Sequence, residues 1–138
     1  MTDFLKPIDY RAEGASEAFV RSLHETGFGV LKNHPIAEQQ VRSIYTNWQA
    51  FFQSDDKDHY TYNVGPQDGF FSSKVSEVAK GNSVKDLKEY YHFYPWGQCP
   101  DNLREELQAY YDNATALAKQ LLGWVEQHSP NEVQSRFS

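Results

Sequence analysis

The chain has 138 residues, which is the length of one domain with a single hydrophobic core. Its net charge of -6 argues against binding to nucleic acid, no apolar run approaches the roughly 18 residues of a membrane span, and the lone Cys99 excludes an internal disulfide. Aromatic residues make up 15% of the chain, which argues against disorder, and residues 1–10 lack the apolar stretch of a secretory signal, so we expect a cytoplasmic protein.

Two helices are predicted in the first half of the chain. Apolar residues recur at helical spacing over residues 15–26, where Ser16 is the predicted N-cap and Gly27 the glycine that ends the helix. A second amphipathic stripe predicts a helix over residues 36–52.

Short strands are predicted around the first helix. Residues 7–10 are the candidate first strand. The nearly continuous apolar run in residues 27–33 is typical of a strand buried on both faces. Pro35 ends that run, because the residue before a proline is kept out of the helical region.

The second half combines an irregular stretch, a strand and a long helix. Residues 53–87 carry turn sequences at 54–58, 65–69 and 80–83, and so long a loop in a compact domain is often functional. Residues 88–94 predict a strand with Tyr90, His92 and Tyr94 on one face and Tyr91 and Phe93 on the other. An apolar stripe at steps of three and four predicts a helix over residues 100–128.

Catalytic and metal-binding motifs are sparse in this sequence. The five histidines have no carboxylate two positions later and no partner at the spacing of a helical zinc motif; they are His24, His34, His59, His92 and His128. We therefore interpret them as surface or hydrogen-bonded residues, with His92 left open. No sequence feature provides a base for Cys99, and neither a phosphate loop nor a dinucleotide fingerprint occurs.

Two patterns have more than one interpretation. The stripe on the last helix fits an intramolecular core face, and it also fits a coiled-coil or partner-binding face. The aromatic residues between 90 and 96 fit ordinary half-buried sheet packing or the lining of a ligand pocket.

Residues 27–36, Gly-Phe-Gly-Val-Leu-Lys-Asn-His-Pro-Ile, resemble a signature of the isopenicillin N synthase-like Fe(II)/2-oxoglutarate-dependent dioxygenases. In that family the signature lies in the N-terminal domain. Other short matches follow in the family's order, namely Pro7-Ile8-Asp9, Lys57 with Tyr60, Gly69-Phe70 and Lys88-Glu89. The resemblance extends over essentially the whole chain.

The resemblance implies an α+β fold in which helices pack on a small sheet, with residues 1–138 as the non-haem dioxygenase N-terminal domain. The family's iron ligands and 2-oxoglutarate site lie in a double-stranded β-helix, or jelly-roll, that follows the long helix. We therefore expect this core to be missing from the chain, and we expect the chain alone to bind no cofactor and to be inactive. The intact enzyme would use Fe(II) and 2-oxoglutarate to oxidise a small-molecule substrate.

The resemblance also places substrate-contacting positions at Gln67, Phe71 and His92, with Gln67 standing where the family enzyme has a basic residue. No residue of the chain is assigned a catalytic or metal-binding role. Two other functions stay open, namely a stand-alone α+β ligand-binding module and a protein that interacts through its long helix. Because the long helix and the aromatic strand carry more apolar side chains than a small sheet buries, we expect self-association.

Overall fold

A computed structural model of the protein describes residues 5–73 and 88–131. The chain divides into two compact units, residues 1–37 with 110–138 and residues 38–109. In chain order the elements are β1 (Ile8–Asp9), α1 (Ala15–Thr26), β2 (Leu31–Lys32), α2 (Glu38–Gln53), a 3-10 helix (Asp55–Tyr60), β3 (Gly69–Phe71), β4 (Tyr90–His92) and α3 (Asp101–Gln127). The predicted mixture of helices and small sheets is confirmed, and α3 contributes residues to both units.

The first unit contains α1 and the parallel pair of strands β1 and β2, in which Ile8 lies opposite Leu31. The end of α1 follows its sequence, because Gly27 adopts φ 77° and its N–H donates to Leu23 O at 2.9 Å. The beginning of α1 differs from the sequence prediction. The residue before the helix is Gly14, and Ser16 lies inside the helix with its hydroxyl 2.9 Å from His128 Nε2, so the predicted cap at Ser16 is wrong.

Aromatic packing holds the first unit together. Phe19 is buried and meets Trp124 edge-on at 5.8 Å between ring centroids. Tyr10 contacts the same indole at 5.2 Å. A Cβ on Gly29 would lie 2.2 Å from the Phe19 ring, so this position must be glycine for the chain to pass over that ring.

The strand predicted over residues 27–33 is much shorter than its apolar pattern. Only Leu31 and Lys32 are in a strand, and the Phe28 side chain is 64% exposed. The backbone of Phe28 is bonded to α1 instead of to a strand, since its N–H donates to Thr26 Oγ1 and its carbonyl accepts from Ser22 Oγ. The prediction of a strand buried on both faces is therefore wrong for this segment.

The second unit packs the antiparallel hairpin of β3 and β4 on α2. Its core consists of the buried residues Phe51, Cys99 and Leu103, joined by the partly buried Trp48, Phe52, Tyr60, Tyr91, Phe93 and Leu107. The charged turn predicted at residues 54–58 is a 3-10 helix. The turn predicted at residues 80–83 lies outside the described residues. No helix in the described ranges combines the length and the apolar character needed to cross a membrane.

Candidate functional site

The hairpin of β3 and β4 has two faces with different surroundings. Its register places Phe70 opposite Tyr91 on one face and Phe71 opposite Tyr90 on the other. Because alternate residues of a strand point to opposite sides, His92 shares the face of Tyr90, as the sequence predicted.

The inner face of the hairpin is packed against α2. Tyr91 lies 4.9 Å from Trp48 and 5.7 Å from Phe51, measured between ring centroids. Phe70 is only 2% exposed and lies 6.1 Å from Phe52. This packing fixes the hairpin relative to α2, so the opposite face of the hairpin also has a fixed orientation relative to α2.

The opposite face carries a continuous series of rings, which we call the aromatic face: Tyr62, Phe71, Tyr90, His92, Tyr94 and Trp96. Phe71 is stacked on Tyr90 at 4.5 Å and lies at the same distance from His92. The series continues from His92 to Tyr94 at 6.5 Å and ends with Trp96 stacked on Tyr94 at 5.1 Å. Trp96 is 73% exposed, so the outer end of the aromatic face is open.

The structure brings the three predicted site residues together. Gln67 adopts a left-handed conformation with φ 58°, and its carbonyl oxygen lies 3.4 Å from His92 Nδ1. Gln67 and His92 are exposed, whereas Phe71 is buried between the rings of Tyr62 and Tyr90. Phe71 is therefore a buried member of the aromatic face, and Gln67 and His92 are the residues of the three that are exposed.

Sequence reasoning missed a buried carboxylate beside this site. Asp68 is only 3% exposed, and its Oδ2 accepts the Gln98 backbone N–H at 2.5 Å. The Gln98 side chain in turn donates to Thr61 O at 3.0 Å and to Asp68 O at 3.3 Å. The local sequence around Asp68 indicates only a turn. Its hydrogen-bond partner, Gln98, is thirty positions away along the chain, so no local pattern predicts the contact.

The Lys57 and Glu89 positions of the family pattern have a structural role. Lys57 Nζ donates to Glu89 Oε2 and to Phe52 O, both at 2.8 Å, and lies 5.4 Å from the Phe70 ring centroid. One ammonium thus joins the end of α2, the 3-10 helix and the residue before β4. These contacts hold the hairpin in place. The Lys57–Glu89 ion pair is not part of the aromatic face.

Two buried groups near the hairpin are unsuited to acid–base chemistry. Burial raises the pKa of the Cys99 thiol, so the reactive thiolate is disfavoured. Burial also raises the pKa of Tyr91, whose hydroxyl donates to Gln98 O at 2.8 Å. Both groups act as packing and hydrogen-bonding residues of the second unit.

The described residues do not form a metal centre. Across residues 5–73 and 88–131, no three side chains of His, Cys, Asp or Glu are arranged to hold a metal ion. His92 packs against aromatic rings, and His59 lies 4.0 Å from the Asp56 carboxylate. His128 Nε2 lies 2.9 Å from the Ser16 hydroxyl. The residues present in this part of the chain therefore do not fit a resident Fe(II).

An apolar groove of about 350 Å³ also occurs in the second unit. It is lined by Ile44, Trp48, Phe52, Glu89, Tyr90, Tyr91, Phe93 and Leu107. The groove includes Tyr91 of the inner face and Tyr90 of the aromatic face, and it lacks Gln67, Phe71 and His92. It is therefore distinct from the site predicted from sequence.

Comparison with known proteins places the chain in a family. Residues 5–115 match the family described as non-haem dioxygenase in morphine synthesis N-terminal. A proline hydroxylase, buaE, from Petromyces alliaceus is 30% identical over 147 residues, covering 90% of this chain and 44% of that protein. The crystal structure of a proposed oxygenase from Shewanella oneidensis matches with a TM-score of 0.83 and 54% identity, covering 95% of this chain and 47% of that one.

The chain thus spans a little under half the length of both relatives. The family match includes the 27–36 signature, Lys57, the hairpin and the start of α3, which are the segments on which the resemblance rested. The chain belongs to the N-terminal domain family of the Fe(II)/2-oxoglutarate-dependent dioxygenases.

Proposed function

We propose that residues 1–138 are the N-terminal domain of a longer cytoplasmic oxygenase, which uses Fe(II) and 2-oxoglutarate to oxidise a small-molecule substrate. The family match over residues 5–115 carries this proposal. It favours part of an enzyme over a stand-alone binding module or a helix-mediated interaction protein. The jelly-roll core of that enzyme lies outside this chain.

The contribution of this domain is to bind substrate and not to hold the metal. We place the metal and 2-oxoglutarate in the core because the family resemblance puts both there; among residues 5–73 and 88–131 no ligand set for Fe(II) occurs. Bound there, Fe(II) supplies a template on which dioxygen and 2-oxoglutarate react. The isolated 138-residue chain is accordingly expected to bind no iron and to show no oxygenase activity.

Gln67 and His92 are the proposed polar contacts for the substrate. His92 Nδ1 faces the carbonyl of Gln67, which leaves Nε2 as the ring atom directed at a ligand. The Gln67 side chain is exposed beside it and offers both a donor and an acceptor. The buried Phe71 ring packs against His92 and Tyr90, so the apolar body of a substrate would lie against the exposed rings of this face.

The first substrate to test is free L-proline, because the relative from Petromyces alliaceus is a proline hydroxylase. A saturated five-membered ring is small and apolar enough to pack on a flat aromatic surface. L-proline is a proposal about the identity of the substrate only. Oxygenase activity is tested by a separate result, the consumption of 2-oxoglutarate.

The test uses the full-length enzyme loaded with Fe(II) under air. We expect consumption of 2-oxoglutarate that depends on iron and rises when substrate is added, with an oxygen atom gained by the product in mass spectrometry. Absence of 2-oxoglutarate consumption by iron-loaded enzyme would contradict the oxygenase proposal. Consumption that L-proline does not stimulate would contradict L-proline alone as the substrate.

A further inference from the structure

We infer that Asp68 is a positioning residue for the aromatic face, holding the turn that presents Trp96 and Tyr94 beside His92. The inference rests on the proposed substrate-binding role of that face. Asp68 itself is buried and takes no part in contacting a ligand.

The first observation is the turn that carries Trp96. Residues 94–97 form a four-residue turn closed by Gly97 N–H donating to Tyr94 O at 2.9 Å. Within it, the Trp96 ring stacks on the Tyr94 ring. The turn begins two residues after the end of β4, so its conformation decides where the open end of the aromatic face lies.

The second observation is that Asp68 fixes the chain immediately after this turn. Its carboxylate oxygen Oδ2 accepts the Gln98 backbone N–H. A Cβ on Gly97 would lie 2.6 Å from Asp68 Oδ2, so glycine at 97 is what lets the carboxylate approach the turn. Tyr91 and Arg104 bond to the carbonyls of Gln98 and Gly97, which completes the attachment.

The third observation is where Asp68 lies in the hairpin. It follows Gln67, whose carbonyl faces His92, and precedes Gly69, which is paired with His92 in the sheet. One side chain thereby ties the segment that carries Gln67 to the segment that carries Trp96. The Asp68 carboxylate thus joins the two exposed ends of the candidate site, beside the Gln98 side chain, which donates to Asp68 O.

The fourth observation concerns the second carboxylate oxygen. Asp68 Oδ1 is buried and has no hydrogen-bond partner among the described residues. The aspartate at 68 buries a carboxylate, which costs free energy that an apolar side chain would not incur. Its use here fits a role in geometry, because an apolar side chain at 68 could not hold the Gln98 N–H.

The three tryptophans of the chain make this role measurable. Trp96 lies in the turn, Trp48 packs in the core of the second unit and Trp124 packs in the first unit. Replacing all three by 5-fluorotryptophan gives three ¹⁹F resonances, which single Trp→Phe variants assign. Each resonance then reports on one region of the folded chain.

We expect Asp68→Ala to shift or broaden the Trp96 resonance while those of Trp48 and Trp124 stay at their wild-type positions. Asp68→Asn keeps an oxygen that accepts the Gln98 N–H, so it should restore the Trp96 resonance. Should Asp68→Ala fail to fold, Gly97→Ala serves instead, because its Cβ displaces the same carboxylate. An unchanged Trp96 resonance, or equal shifts at all three tryptophans, would overturn the inference.

Kinetics of the full-length enzyme separate this inference from the proposed function. If the aromatic face binds substrate, Asp68→Ala should raise KM at least threefold with a smaller change in kcat, and Asp68→Asn should recover most of the loss. A displaced Trp96 with unchanged KM would support the positioning role of Asp68 and contradict the substrate-binding role of the face.

Discussion

At the scale of single residues, two glycines of the chain differ in the space available for an added side chain. A Cβ on Gly97 would lie within 3.2 Å of three Asp68 atoms, whereas a Cβ on Gly123 in α3 would meet no other atom of the described residues within 4 Å outside its own helix backbone and chain neighbours. The first glycine is required by packing against a buried group. The second lies in a helix, where glycine is a poor choice.

We predict that Gly97→Ala lowers the free energy of unfolding by about 1–3 kcal/mol, because the added methyl group displaces the Asp68 carboxylate. Gly123→Ala is the matched control and should raise it by about 1 kcal/mol, since alanine favours the helix. Urea unfolding of both variants measures the difference. A neutral or stabilising Gly97→Ala would show that the carboxylate is free to move.

Asp9 provides a prediction about pH. Its carboxylate accepts the Arg11 N–H at 3.1 Å and Asn33 Nδ2 at 2.8 Å, and these bonds lower the pKa of Asp9. A carboxyl group with a lowered pKa in the folded state stabilises the fold above its unfolded pKa, and this contribution disappears as pH falls through the folded value.

We therefore expect Asp9→Asn to be less stable than wild type at neutral pH, with the difference shrinking toward about pH 2, well below the usual carboxyl pKa of about 3.9. Thermal unfolding at both pH values tests this, with the exposed Asp55→Asn as the matched control. A difference that stays constant between the two pH values would mean that the Asp9 bonds do not depend on its charge.

At the scale of elements, the helices were predictable and the strands only partly so. The 3.6-residue period is local, so α1, α2 and α3 occur within two residues of their predicted bounds. Strands depend on partners that are distant along the chain. Residues 27–33 have the composition of a buried strand, yet α1 hydroxyls bond the Phe28 backbone and only Leu31 and Lys32 pair.

The candidate site was also predictable only in part. Strand alternation was enough to place His92 on the face of Tyr90 and Tyr94, and the resemblance supplied Gln67 and Phe71. The attachment of Asp68 to Gln98 could not be predicted, because a buried aspartate and a turn aspartate look alike in sequence. Only the fold brings residues thirty positions apart into contact.

The link between the 3-10 helix and β4 depends on Lys57, whose side chain is 22% exposed and bonds both Glu89 and Phe52 O. We predict that Lys57→Met lowers the free energy of unfolding by about 1.5–3 kcal/mol, the usual range for hydrogen bonds to a charged group. The matched control is Arg42→Met, which breaks the exposed Arg42–Glu38 pair and should cost less than about 0.5 kcal/mol. Equal effects of the two substitutions in urea unfolding would contradict a structural role for the Lys57 link.

At the scale of the whole molecule, apolar side chains remain exposed in both units. They include Phe28 and Leu122 in the first unit and Tyr45, Val64 and Trp96 in the second, each more than 45% exposed. Exposed apolar surface promotes association. We predict that the 138-residue chain self-associates, with a sedimentation coefficient that increases with protein concentration. A single monomeric species over a hundredfold range of concentration would contradict this prediction.

We propose that the aromatic face of this domain binds the substrate of a dioxygenase whose metal is held elsewhere. The most direct measurement is steady-state kinetics of the full-length enzyme carrying His92→Ala, with iron content determined on the same sample. His59→Ala is the matched control, because His59 is exposed on the 3-10 helix and is not part of the aromatic face. We expect a substrate KM raised about tenfold or a changed substrate preference in His92→Ala, with wild-type iron content and wild-type behaviour of His59→Ala. Loss of iron from His92→Ala, or kinetics identical to wild type, would contradict it.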